Sequence, residues 1–166
     1  MTTVIGIDPG NTQSAYCILE GTKIVEARKV PNYDMLFQIE SWKTKPFYLA
    51  PIAIEMIQAM GMAVGREVFE TCRWVGRFEE CWRWCGGTAF KTIYRSEVKM
   101  HWCNSVRAKD KNIRQSLIDA YGKPRTKKNP GPTYGLAGDC WSALAVAGLH
   151  MHQIQSRPSC GEKVLP

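Results

Sequence analysis

Apolar residues crowd the start of the chain in short runs separated by small polar turns. Residues 3–8 (TVIGID) form an apolar strand that ends in a carboxylate and runs straight into Pro-Gly. Residues 13–20 and 23–30 read as two more strands, joined by Glu20-Gly21-Thr22 in a short hairpin turn, so a three-strand antiparallel meander is expected. The period then changes. Met35, Leu36, Ile39 and Trp42 recur at helical spacing over 33–43. Residues 47–54 are a nearly continuous apolar run, as in a strand covered on both faces. Pro51 counts against that strand, because it removes a ladder donor.

The stretch 64–85 places Val64, Val68, Cys72, Val75, Phe78, Trp82 and Cys85 at steps of three and four, predicting a long amphipathic helix closed by Gly86-Gly87. Trp74 and Trp84 fall off this stripe. Residues 88–94 predict another strand. Ser96 is placed to cap a short helix with Glu97 in its first turn. Residues 110–121 predict a helix ended by Gly122, and 123–135 a basic loop rich in Pro and Gly. A last helix is expected over about 138–153, where Ala143, Ala145, Ala147 and Gly148 allow close packing on a sheet. The order predicts a mixed α/β sheet with helices on both faces.

Length and composition narrow the class. A chain of 166 residues fits a single domain over 1–166, with 154–166 as a flexible tail. No apolar run is long enough to span a membrane and no signal-peptide pattern is present, so a soluble, cytoplasmic protein without a membrane partner is expected. Seven cysteines, at 17, 72, 81, 85, 103, 140 and 160, form no C-x-x-C pair. Zinc spacing is therefore missing, and reduced, mostly buried thiols are expected.

Charge changes the picture more. The formal net charge is +7, and residues 91–128 hold eleven Lys/Arg against three acids while the rest of the chain is nearly balanced. Such a block is either a solvated helix face or a surface for a polyanion, and phosphate contacts supply most nonspecific nucleic-acid affinity. The candidate contacts are Lys99, Arg107, Lys109, Lys111, Arg114, Lys123, Arg125, Lys127 and Lys128.

Taken by itself, Asp8 at a strand end reads as part of an Asp-Pro-Gly turn, and a carboxylate there also suits a metal or a phosphate contact. Val4, Gly6 and Asp8 share one face of their strand, and Ile5 and Ile7 the other. Glu55 lies at the end of the other very apolar strand, where a carboxylate is costly unless paired, protonated or metal-bound. Asp139 opens the final helix, which the helix dipole favours. Three acids at element ends beside the core suggest one shared site. Oxygen ligands of this kind suit Mg²⁺ or Mn²⁺, and two such ions about 4 Å apart hydrolyse phosphodiesters.

In this order, VIGIDPGNTQSAYCIL, IAIEM, VKMHWCNSVRAKDKNIRQSLIDAYG and GDCWSALAVAGLHMH resemble the Holliday-junction resolvases of the RuvC type, most of all those carried by bacteriophages. The resemblance implies a ribonuclease H-like fold and a homodimer that cuts four-way DNA junctions with Mg²⁺ or Mn²⁺, two ions per active site. It assigns Asp8, Glu55 and Asp139 as catalytic metal ligands and Lys99 as a basic residue near the scissile phosphate. Ser142 stands where the family's last Asp is expected. A second family lysine falls at Asp110, between Lys109 and Lys111. The helix 64–85 would be the dimer helix, and Phe69, Trp74 and Trp102 are candidates to stack at the junction centre. GIDPGNT also resembles the first phosphate loop of sugar kinases and actin-like ATPases, but those chains need a second such domain. Other readings are a ribonuclease H-like nuclease acting on other branched DNA or RNA–DNA hybrids, and a junction-binding protein that does not cut.

Overall fold

The computed structural model describes residues 1–44, 50–58, 61, 63–87 and 89–156. The three opening strands are β1 (Thr3–Asp8), β2 (Gln13–Glu20) and β3 (Lys23–Pro31). They pair antiparallel in sequence, with Ile5 opposite Ile18 and Cys17 opposite Ala27. This is the expected meander, and the turn into β3 uses Gly21 at φ 57°, a left-handed conformation suited to glycine. Next come α1 (Asn32–Trp42), β4 (Ile52–Met56), α2 (Arg66–Trp84), β5 (Phe90–Tyr94), α3 (Arg95–Cys103) and α4 (Asp110–Tyr121). A two-residue hairpin, β6 (Arg125–Thr126) and β7 (Asn129–Pro130), leads to α5 (Cys140–Gln155). The main sheet has the order β3-β2-β1-β4-β5, with β4 parallel to both β1 and β5.

Helices cover both faces. On one, Val4, Cys17, Leu19 and Ala53 pack with Val98, Leu117 and most of α5. On the other, Ile5, Ile7, Ile18 and Ile54 pack with Met35, Ile39 and Trp42 of α1 and Trp74, Phe78 and Trp82 of α2. The strand alternation assigned to Val4 and Ile5 therefore holds. Helix α5 is buried almost all round. It lies so close to β1 that a Cβ on Gly6 would stand 2.3 Å from the Ala143 carbonyl oxygen and 2.5 Å from the Ala147 nitrogen. Gly6 thus leaves space for a helix backbone, which brings the start of α5 to the end of β1.

Several expectations change. The fourth strand starts at Ile52, so Pro51 precedes it and costs no ladder donor; its carbonyl accepts from Ile5 N at 3.0 Å. The expected positions 47–49 and 88 lie outside the described residues. Glu55 is inside the strand, with Met56 beyond it. Trp74, expected off the buried stripe of α2, is 9% exposed. A second layer covers it: Tyr33 of α1 meets its ring edge-on at 5.0 Å, and Arg77 lies 4.1 Å from the ring centre. Ser96 is not the cap of α3. The helix starts at Arg95, and Glu97 reaches back to accept from Tyr94 N at 2.8 Å, while Ser96 Oγ bonds Gln58 at 3.1 Å. Helix α4 matches its expected bounds and ends at Gly122, φ 106°. The basic loop contains the unexpected hairpin, and α5 runs to Gln155, taking in the first two positions of the expected tail, of which 157–166 lie outside the described residues.

Cys17 and Cys140 are buried, while Cys72, Cys81, Cys85 and Cys103 are half-buried, and all six are free thiols. Among the described residues no helix is long and apolar enough to cross a membrane.

Candidate functional site

The parallel pairing of β1 and β4 puts Ile7 opposite Ile54, so Asp8 and Glu55 follow at the same end of the sheet. The close seat of α5 on Gly6 brings Asp139 and Ser142 to that end as well. The burial and charges around Asp8 record this convergence. Its carboxyl is pushed up to about 7, first by burial, then by the negative charges of Glu55 and Asp139; Arg95 and the Ser142 hydroxyl act the other way. Glu55 is also raised, chiefly by burial, with Arg95 offsetting part of it and Lys99 close enough to add to the offset.

The two outer carboxylates face cations. Glu55 Oε2 accepts from Arg95 Nη1 at 3.1 Å, and the other arm of the same guanidinium holds Asp110 Oδ1 at 2.5 Å. Asp139 Oδ2 takes Lys29 Nζ of β3 at 2.6 Å, an ion pair nearly half exposed on both sides and therefore weak. Asp139 makes no side-chain capping bond to its own helix. Among the described residues, no three His, Cys, Asp or Glu side chains are gathered as a ready cage for an ion. The donor set nevertheless suits Mg²⁺ or Mn²⁺ in kind: it is all hard oxygen, and a bound cation would offset the burial and the two neighbouring negative charges that raise Asp8. To share an ion with Asp8, Asp139 would have to turn from Lys29, while Glu55, bonded to Arg95 through Oε2, would offer its other oxygen.

The loop after Asp8 is fixed by a buried polar network. Ser14 Oγ donates to Asn32 Oδ1 at 2.6 Å, Asn32 Nδ2 donates to the Gly10 carbonyl at 2.9 Å, and Gly10 N donates to Ser14 Oγ at 3.2 Å. Both side chains are buried. Asn32→Leu removes the donor to the Gly10 carbonyl and the acceptor of the Ser14 hydroxyl proton, so it is expected to cost about 2–3 kcal/mol, read as a lower midpoint in urea unfolding.

Beside the carboxylates lies a cleft of about 410 Å³ lined by Arg95, Asp110, Lys111, Arg114, Asp139 and Ser142, among others. Arg114 lies over the Trp141 ring at 4.8 Å, and Trp141 Nε1 donates to the Leu136 carbonyl at 3.1 Å. Of the predicted basic residues, Lys111 and Arg114 line this cleft and Lys99 stands near Glu55. Arg107 and Lys109 are exposed where α3 joins α4. Lys123, Arg125, Lys127 and Lys128 are exposed on and beside the hairpin. Of the aromatic candidates, Phe69 is 61% exposed, while Trp74 is buried. Trp102 is half-buried and donates to the Ala145 carbonyl at 2.9 Å, so it packs against α5.

Sequence reasoning missed Arg95 and Lys29, the two cations that hold the outer acids. No sequence signal marks either; Arg95 comes to Glu55 because it directly follows β5, which pairs in parallel with β4.

The raised Asp8 carboxyl has a consequence for the metal-free protein. Between pH 3.8 and about 7 the folded state keeps a proton that the unfolded chain has released. Stability is therefore fully present below the lower value, falls as pH rises, and levels off above the upper one. The loss is about 4 kcal/mol at the upper limit. Thermal unfolding in EDTA should give a lower midpoint at pH 8 than at pH 5. Asp8→Asn should flatten that difference, and Mg²⁺ should restore stability at pH 8.

The fold is similar to that of RuvC from Thermus thermophilus in two solved structures. One gives a TM-score of 0.65 at 16% identity, covering 93% of this chain and 96% of that chain. The other, RuvC in complex with Holliday junction substrate, gives 0.71 at 15% identity over 93% of this chain and 96% of that chain. No family model matches the chain, and no curated protein does. The five-stranded mixed sheet with helices on both faces is thus the ribonuclease H-like architecture that the motifs implied.

Proposed function

We propose that, with this fold as premise, the protein is a metal-dependent, structure-selective endonuclease. It resolves four-way DNA junctions by paired, symmetric phosphodiester hydrolysis. The observation that carries this reading is the meeting of Asp8, Glu55 and Asp139, from three separate elements, beside a cleft walled by Arg95, Lys111 and Arg114. A RuvC of this fold has been captured with a Holliday junction substrate.

Asp8, Glu55 and Asp139 would hold Mg²⁺ or Mn²⁺, which supplies an activated water and charge for the leaving oxygen. The residues of the chain do the rest. Asp8, fixed by the loop network, is the central acid shared between the outer two. The Ser142 hydroxyl bears on it where a fourth carboxylate would stand. Lys99 and Arg95 offset negative charge at Glu55, and Lys111 and Arg114 seat the phosphate backbone in the cleft. The polar and cationic walls orient the strand, so that one phosphate faces the acids.

Two equivalent cuts across a nearly two-fold junction call for two sites on a C₂ dimer. The outward residues Phe69 and Trp84 of α2, 61% and 84% exposed, are the surface offered for that contact. Action in the bacterial cytoplasm, in an infected host where a bacteriophage carries the chain, belongs to the same reading.

A second reading follows from Ser142: a protein that binds junctions without cutting. Matched four-way, three-way, flap, RNA–DNA hybrid and linear substrates, each incubated with Mg²⁺ and with EDTA, separate the two. Opposed cuts confined to the four-way junction in Mg²⁺ support resolution. Binding without cuts in either Mg²⁺ or Mn²⁺ supports the second reading, and preferential cutting of flaps or hybrids overturns the junction assignment.

Binding should also depend steeply on salt. Neutralising Lys123, Arg125, Lys127 and Lys128 together should reduce the log–log salt slope by about 3–4, since each phosphate contact contributes about 0.9. An unchanged slope on a four-way junction would mean that the hairpin faces solvent.

A further inference from the structure

Arg95 bridges two elements, β4 and α4, through their acids. Its Nη1 donates to Glu55, 3.1 Å away on the central sheet, and its Nη2 donates to Asp110, the first residue of α4. The pair is asymmetric. The Glu55 side chain is 16% exposed, Arg95 27%, and Asp110 82%. The guanidinium thus bridges an exposed acid and a largely covered one. A planar fork that satisfies two acids fixes orientation in a way that a single ammonium does not. The same α4 carries Lys111 and Arg114 into the cleft.

We infer that Arg95 is a positioning residue: through the chain Asp110–Arg95–Glu55 it sets the orientation of Glu55 as a metal ligand. This rests on the proposed role of Glu55. Carboxylates that ligate metals depend on outer hydrogen-bonding partners, and loss of such a partner typically weakens metal binding 10–100-fold. Lys109 and Lys111 flank Asp110 without taking part in this chain. Seating α4 on DNA therefore bears directly on Glu55.

A simple charge effect predicts something different. Arg95→Gln removes a positive charge and would tighten binding of a divalent ion. Asp110→Asn removes a negative charge and would weaken it. The positioning role predicts that both weaken binding, because both cut the same chain. The test is Mn²⁺ titration of the full chain without DNA, followed by electron paramagnetic resonance, on wild type, Glu55→Gln, Arg95→Gln, Arg95→Lys, Asp110→Asn and the Arg95→Gln/Asp110→Asn double variant. Each of the two single substitutions that break the chain should raise the Mn²⁺ dissociation constant about tenfold. The double variant should be no worse than the singles, and Arg95→Lys should recover part of the loss. Tighter binding in Arg95→Gln, or additive losses in the double variant, would overturn the inference. Unchanged binding in Glu55→Gln would instead overturn the ligand role of Glu55, and the inference with it. Asp110 is largely exposed, so Asp110→Asn retains its fold and keeps the test decisive.

Discussion

Asp8→Asn is expected to reduce junction cleavage on the order of a thousandfold or more while leaving junction binding intact or tighter. Asp8 is the acid on which the others converge: burial, Glu55 and Asp139 all push its carboxyl upward. An amide keeps the shape and removes the charge, so the metal loses its central ligand. The same change lowers repulsion against a phosphate, so affinity for DNA does not fall. Single-turnover cleavage and gel-shift binding, run on the same four-way junction, read the two effects separately. Cleavage near the wild-type rate would remove Asp8 from the chemistry. Loss of binding in parallel with cleavage would mean that the substitution acts through the fold.

The second large effect falls on a residue with no functional group. Gly6→Ala is expected to destabilise the protein by about 3 kcal/mol or more. The added Cβ would meet Ala143 O at 2.3 Å, Ala147 N at 2.5 Å and Ala147 Cβ at 2.8 Å. Two of these are helix backbone atoms, which cannot rotate away as a side-chain tip can. Helix α5 must lift from β1, and it carries Ser142 in its first turn, with Asp139 at its start. Cleavage should therefore fall even at temperatures where the variant remains folded. The same chemical change at Gly76, inside α2 with nothing within 4 Å of its would-be Cβ, should stabilise by about 0.5–1 kcal/mol, because alanine is the better helix former. Urea unfolding of the two variants side by side checks the opposed signs.

Local patterning made much of this architecture legible. The meander β1–β3 was readable because its apolar runs are short and the turn at Gly21 carries its own chemistry. Helix α4 was readable because its apolar period and its glycine stop agree. The two-faced division of β1 followed from alternation alone. What patterning could not supply was layering. Trp74 looked exposed because α2 was weighed against one partner, the sheet, whereas α1 covers a second face. The start of β4 was misplaced because a continuous apolar run has no internal mark to separate strand from approach. Of the candidate site, Asp8, Glu55 and Asp139 could be picked out because each is an acid at the end of an element beside apolar sequence, whereas Ser142 was reached only through the family resemblance. Arg95 and Lys29 could not. Each sits in an ordinary polar context, and its importance lies in a partner far along the chain: position 55 for Arg95 and position 139 for Lys29. Pairings of that kind are set by topology, and a residue pattern does not record them.

The central claim is that Asp8, Glu55 and Asp139 form a single metal-bearing site. An anomalous difference map from a crystal grown with Mn²⁺ tests it most directly. The expected result is one or two strong peaks within ligand distance of Asp8, Glu55 and Asp139, with Asp139 turned from Lys29 and the Arg95–Glu55 bond kept. Peaks elsewhere in a Mn²⁺-saturated crystal, with Asp139 still paired to Lys29 and no density between the three acids, would contradict it.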